Sequence, residues 1–313
     1  MDPNRSVKKN HIIKAESLIS LAVAAAIMVS CSAKPEPDKD TAAKNVIETT
    51  VIVETTVEEE TGPEFPPITY DISDPELEKA EGKTKEVYFT RDGQLICGKI
   101  TYPDSREFGQ GPYKTIIFSN GLYAPLGRYS DKARYYSEYG YAVIEFEFQN
   151  SDAPDPYEDP EYIGDYIYEE VKDLFAVIDS AKYLPDVDAS NIYLYGHSMG
   201  GLVASYAGAM RQDDIKGLIL ADPSFYATDL MEFEHGQTIT TDIYSLLKEL
   251  TIPVLIITGT EGSFGEDPHF FDDARKAIPH CQYIVIEGAD HIFGGEASEH
   301  LVDVSVEAMK KWE

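Results

Sequence analysis

Cationic side chains are scarce in this sequence. Its 26 Lys and Arg stand against 56 Asp and Glu, a formal net charge of -30. Nucleic acids are bound through clustered Lys and Arg, so nucleic acid is excluded as a partner. The same field repels anionic substrates and anionic lipid surfaces, which leaves small neutral or hydrophobic molecules as the favoured ligands. Apolar runs long enough to span a bilayer are also missing. The longest, Leu18 to Val29, has 12 residues, where a comfortable span needs about 20. Cysteine is rare, with three in the chain. The one His-Cys grouping, His280-Cys281, lacks the ligand spacing of a zinc site, and no metal is expected. No cofactor is implied either.

What is present is unevenly distributed. Residues 1–31 carry a net +2 and residues 32–68 a net -6, which leaves -26 for the remainder. The acidity therefore belongs mainly to the folded part. At the N-terminus Arg5, Lys8, Lys9 and Lys14 precede the 12-residue apolar stretch, as in an export signal. That stretch ends in Val29-Ser30-Cys31, which resembles the lipobox of bacterial lipoproteins. The resemblance implies that residues 1–31 are a signal, that Cys31 is lipidated, and that the chain sits on the outer face of the cytoplasmic membrane or outside the cell. Residues 32–82 are rich in Thr, Glu, Pro and Lys and read as a disordered acidic tether. The expected folded domain is 83–313.

From Lys83 onward, strands and helices alternate. Two β-rich runs flank Asp92-Gly93, a hairpin signal. Apolar runs at 114–120, 141–148, 191–196, 217–222, 253–259 and 281–288 read as buried strands. Helical patterns lie between them: Ser130 to Tyr139, and Ile163 to Tyr183 with Ile167, Val171, Leu174, Phe175 and Ile178 on one stripe. A third opens at Asp267-Pro268 and runs to Ala277, and a last one runs from Ser298 to Trp312. This is an α/β pattern: a mostly parallel sheet covered on both faces, with an antiparallel start.

One corner carries chemistry. Gly196-His197-Ser198-Met199-Gly200 follows a strand and opens a helix, the G-x-S-x-G arrangement that holds a serine hydroxyl in the open. A serine needs a base. His291 follows the last strand in a loop and supplies it, whereas His197 is placed to shape the corner. The oxyanion of acyl transfer needs two backbone donors. They are expected at Met199 N–H and at Leu122 N–H, in the Asn120-Gly121-Leu122 turn after a strand.

These motifs, in this order over 84–313, resemble the α/β-hydrolase fold, and within it bacterial cinnamoyl/feruloyl esterases and monoglyceride-lipase-like esterases. The resemblance implies an eight-stranded, mostly parallel sheet with helices on both faces. It implies ester hydrolysis through an acyl-enzyme, and a cap after the sixth strand, here about 223–250. Phe225, Tyr226 and Phe233 in that interval would wall the substrate pocket or form cap core. Strand order in the family puts Cys97 and Cys281 on opposite edges of the sheet, so both should be free thiols.

Two departures from the pattern stand out. The family writes His-Gly where this chain has Asn120-Gly121, and its Arg-Gly-x-Gly after the fourth strand is replaced by an acidic loop, 147–162. A third concerns the acid that orients the histidine, for the usual Asp position holds Gly262. Glu261, one residue early, is the first candidate; Asp222, at the end of the sixth strand, and Asp267 are the alternatives. Without any acid, the chain reads instead as a degenerate hydrolase that binds a ligand at the cell surface. Lipase, thioesterase and peptidase activities remain open within the enzyme class, and nothing in the sequence bears on oligomeric state.

Overall fold

The computed structural model describes residues 68–78, 83–154, 163–225, 243–262 and 269–313. The signal segment with Cys31, most of the tether, and Tyr226, Phe233 and Asp267 lie outside the described residues. Among the described residues, no helix is long and apolar enough to cross a membrane.

The elements run β1 (Glu76–Leu77), β2 (Thr84–Arg91), β3 (Gln94–Thr101), α1 (Ser105–Phe108), β4 (Tyr113–Ser119), α2 (Ser130–Glu138), β5 (Ala142–Phe146), α3 (Ile163–Ala181), β6 (Val187–His197) and α4 (Met199–Met210). They continue with β7 (Leu218–Ala221), α5 (Ile243–Leu247), β8 (Val254–Glu261), α6 (Asp272–Ala277), β9 (Cys281–Asp290) and α7 (Glu296–Trp312). One sheet takes all nine strands in the order β1-β2-β3-β5-β4-β6-β7-β8-β9. The first three pairings, up to β3–β5, are antiparallel, and the rest are parallel. The ninth strand, beyond the eight expected, is the two-residue β1.

Period-two alternation builds the two faces. Ile117, Ile192, Leu194, Val254 and Ile256 point to one side, where α3, α4, α5 and α6 pack. Their neighbours Ile116, Phe118, Tyr193, Tyr195, Leu255 and Ile257 point to the other, against α2 and α7. Strands buried on both faces explain why the sequence shows unbroken apolar runs there. The stripe on α3 is buried as expected. The hairpin turn has Asp92 at φ 52° and Gly93 at φ 75°, the two positive angles that a type I′ turn demands.

Two details differ from the sequence reading. Residues inside the stretch read as tether already pack on the domain: Ile68, Tyr70, Ile72 and Leu77 lie against the larger core. Tyr70 also hydrogen-bonds Asp179 on α3. Helix α6 begins at Asp272 rather than near Asp267, with buried Phe271 at its cap position. Of the two roles expected for Phe225, its packing matches cap core: it is 2% exposed and packs edge-on against Tyr244 and Phe271. The two described cysteines are free, one on β3 and the other on β9 at the far end of the sheet order.

Candidate active site

Parallel strands end at one edge of the sheet, and ligand chemistry in such folds collects there. β6 ends at His197, and α4 starts at Met199, so Ser198 alone makes the corner. Its backbone lies at φ 55°, ψ -123°, a strained region for a residue with a side chain that costs on the order of 1–3 kcal/mol. The flanking glycines make the corner possible. A Cβ on Gly196 would fall 2.5 Å from Gly200 O, and one on Gly200 would fall 2.1 Å from Ser119 O. Strand, helix and the Ser119-Asn120 backbone thus meet at a distance only glycine permits.

Ser198 and His291 line one cleft of about 350 Å³, together with Gly121, Leu122, Tyr123, Arg128, Tyr129, His197 and Ile292. Met199 is the first residue of α4, where the helix provides no partner for the N–H. Leu122 lies in the turn after β4, which the Ala124 N–H to Gly121 O bond closes at 3.0 Å. Gly121 is wedged in: a Cβ there would lie 3.2 Å from Ser198 Cβ. The Asn120 side chain is not part of the cleft lining and donates to Phe146 O at 2.8 Å.

The carboxylate that meets His291 is Asp222: Nδ1 to Oδ2 is 2.5 Å. This corrects the first expectation, Glu261, which is exposed and sits in register with Asp290 beside a ladder irregularity. Asp222 is fully buried and held on its other oxygen by Thr258 Oγ1 at 2.7 Å. Its backbone, at φ 45°, is tied to β8 by its N–H to Ile257 O at 2.7 Å. A neutral imidazole that donates Nδ1–H to this carboxylate carries its lone pair on Nε2.

The His291 loop is fastened from behind. Lys132 on α2 is 2% exposed and donates to Phe293 O at 3.2 Å, and Gly294 N–H donates to Asp290 Oδ1 at 3.1 Å. Burial pushes the Lys132 ammonium below its ordinary pKa. Sequence reasoning missed Thr258, Lys132 and Tyr129. A lone hydroxyl in the apolar run 253–259 was a signal for the first. Lys132 and Tyr129 gave none, because a helix surface pattern does not say which residue faces a loop far along the chain.

Comparison with known proteins places the fold. Residues 110–239 match the family model described as "Serine aminopeptidase, S33". No curated protein matches the sequence. Among solved structures, Est1E from Butyrivibrio proteoclasticus is similar at TM-score 0.56 and 20% identity, covering 72% of this chain and 98% of its own. Dienelactone hydrolase from Anabaena variabilis is similar at TM-score 0.55 and 17% identity, over 72% of this chain and 97% of the other. A thioesterase domain from the curacin biosynthetic pathway is similar at TM-score 0.53 and 13% identity, over 72% of this chain and all of that one (100%). The fold is the α/β-hydrolase fold.

Proposed function

We propose that this α/β-hydrolase-fold chain is a serine hydrolase that cleaves carboxylic esters through an acyl-enzyme. The observation that carries the reading is the 2.5 Å contact of Asp222 with His291, in a cleft that also holds the strained Ser198. Ser198 Oγ attacks the ester carbonyl carbon while His291 Nε2 takes the hydroxyl proton. The carbonyl electrons move to the oxygen, which the Met199 and Leu122 N–H groups receive. Collapse expels the alcohol, which leaves with the proton from His291. Water then repeats the sequence on the acyl-enzyme and releases the acid. Asp222 keeps the imidazole in the required tautomer and stabilises it when charged.

Leu122, Tyr123 and Ile292 line the cleft, and together with the net acidity they favour a neutral or hydrophobic ester. The likeness to Est1E, also solved with ferulic acid bound, agrees with an acyl group of that character. The degenerate-binder alternative arose from Gly262, and Asp222 supplies the acid that Gly262 lacks. The sequence further supports an export signal, a lipid on Cys31 and an acidic tether, which would hold the hydrolase on the outside of the cytoplasmic membrane.

Turnover of p-nitrophenyl acyl esters tests the reading. Steady hydrolysis abolished by Ser198→Ala and by His291→Ala is expected. Turnover of amino-acid p-nitroanilides in preference to esters would move the assignment to a peptidase. No turnover of either class by folded protein would reject a hydrolase.

A further inference from the structure

Three segments converge on His197. Its Nε2 is 2.6 Å from the carbonyl oxygen of His291. Its Nδ1 is 2.6 Å from the hydroxyl of Tyr129. Gly121, in the turn after β4, packs directly against both groups. The direction of every proton is forced. A carbonyl only accepts, so His197 Nε2 carries the hydrogen; Nδ1 is then bare, and the Tyr129 O–H must point to it. The chain of bonds runs Tyr129 O–H to His197 Nδ1, and His197 Nε2–H to His291 O, with Gly121 packed against its first link.

Both side chains are buried, His197 at 3% and Tyr129 at 2% exposure. Burial, then the proximity of His291, Lys132 and Arg128, pushes His197 down to about 3. Burial pushes the Tyr129 phenol up to about 12. The relay therefore keeps one hydrogen arrangement across the working pH range. There is no slack in it either: a Cβ on Gly121 would lie 3.0 Å from His197 Nδ1 and 3.2 Å from Tyr129 Oη. The Lys132 ammonium stands 5.6 Å from the Tyr129 ring centroid while it holds Phe293 O, a second tie from α2 to the base loop.

We infer that His197 and Tyr129 are positioning residues that lock the Gly121-Leu122 turn and the His291 loop to the Ser198 corner, so that oxyanion donors and base keep register with the nucleophile. The inference rests on the proposed serine-hydrolase reading. Neither side chain exchanges a proton with substrate. Their effect is geometric, and in such sites a shift of about 1 Å can cost about a hundredfold in rate.

The test uses the full chain and four variants: His197→Phe, His197→Gln, Tyr129→Phe and the double Phe variant. His197→Phe keeps the shape and removes both hydrogen bonds; its kcat should fall about 10- to 100-fold with KM nearly unchanged. His197→Gln retains a donor for His291 O and should recover part of that loss. Tyr129→Phe should fall less, and the double variant should be no slower than His197→Phe, since one relay is broken once. Hydrogen exchange should quicken in both 121–128 and 290–294 in each single variant. A His197→Phe enzyme within about two-fold of the parent kcat, additive losses, or faster exchange confined to the segment beside the substitution would each overturn the inference. If the parent chain neither hydrolyses esters nor takes up a fluorophosphonate, the hydrolase reading fails. The exchange measurement then decides on the relay by itself.

Discussion

Gly262 and Asp222 compete for one space: a Cβ on residue 262 would stand 2.9 Å from the Asp222 Oδ2 atom that bonds His291. With glycine at 262, that space is open to Asp222, which enters it from the end of β7. Asp222→Asn should therefore lower kcat by about four orders of magnitude while leaving the fold intact. Glu261→Gln should change kcat less than about two-fold, as expected of an exposed carboxylate away from the site. Steady-state kinetics on purified variants check both.

The same contact predicts an exchange of roles. Gly262→Ala alone should reduce kcat, because its Cβ displaces the Asp222 carboxyl. Asp222→Ala combined with Gly262→Asp should recover part of the activity that Asp222→Ala loses, because the vacated space then accepts a carboxylate beside His291. A double variant no faster than Asp222→Ala would show that this geometry does not permit the exchange.

Stability should depend on pH through Glu170. Its carboxyl is 2% exposed, Oε2 has no hydrogen-bond partner among the described residues, and Asp173, fully buried beside it, takes the Arg91 guanidinium at 3.0 Å. Burial first, and the Asp173 charge second, raise the Glu170 pKa well above the ordinary value. The folded state keeps a proton that the unfolded chain releases above the ordinary carboxylate range. Stability then falls as pH rises through the window between the unfolded and folded pKa values, by up to about 1.4 kcal/mol per pH unit. Glu170→Gln mimics the protonated form. It should leave the melting temperature unchanged near pH 4 and raise it near pH 8.

Gly200→Ala should be among the most damaging single-methyl changes in the chain. The added Cβ would overlap the Ser119 and Asn120 carbonyls at 2.1 and 2.3 Å, both of them backbone atoms that cannot rotate away. A loss of about 3 kcal/mol, read by thermal or chemical denaturation, is the expected cost of such overpacking. Alanine at Gly93, where nothing lies within 4 Å but φ is 75°, should cost less and through backbone strain alone.

Local patterns were the legible part. The corner at Ser198 could be read because its glycines, strand and helix are adjacent in the chain, and the double-sided burial of the sheet shows directly as apolar runs. His291 could be read because it directly follows the last apolar, β-rich run, which forms β9. The acid could not, for its identity depends on whether residue 222 or residue 261 reaches the imidazole, and that is set by strand neighbourhood and by space beside residue 262. The roles of Tyr129 and Lys132 were hidden for the same reason: α2 meets the β9–α7 loop only after the sheet has formed. Residues 68–78 read as tether because their composition continues it. A few side chains, Ile68, Tyr70 and Ile72 among them, bind that stretch to the core.

The most direct test of the central claim is covalent labelling. Full-length protein treated with an alkyl fluorophosphonate should gain one phosphonyl group, mapped by peptide mass spectrometry to Ser198. Labelling should be lost in Ser198→Ala and slowed strongly in His291→Ala and Asp222→Asn. Folded protein that stays unlabelled, or that labels equally well after Ser198→Ala, would contradict the account.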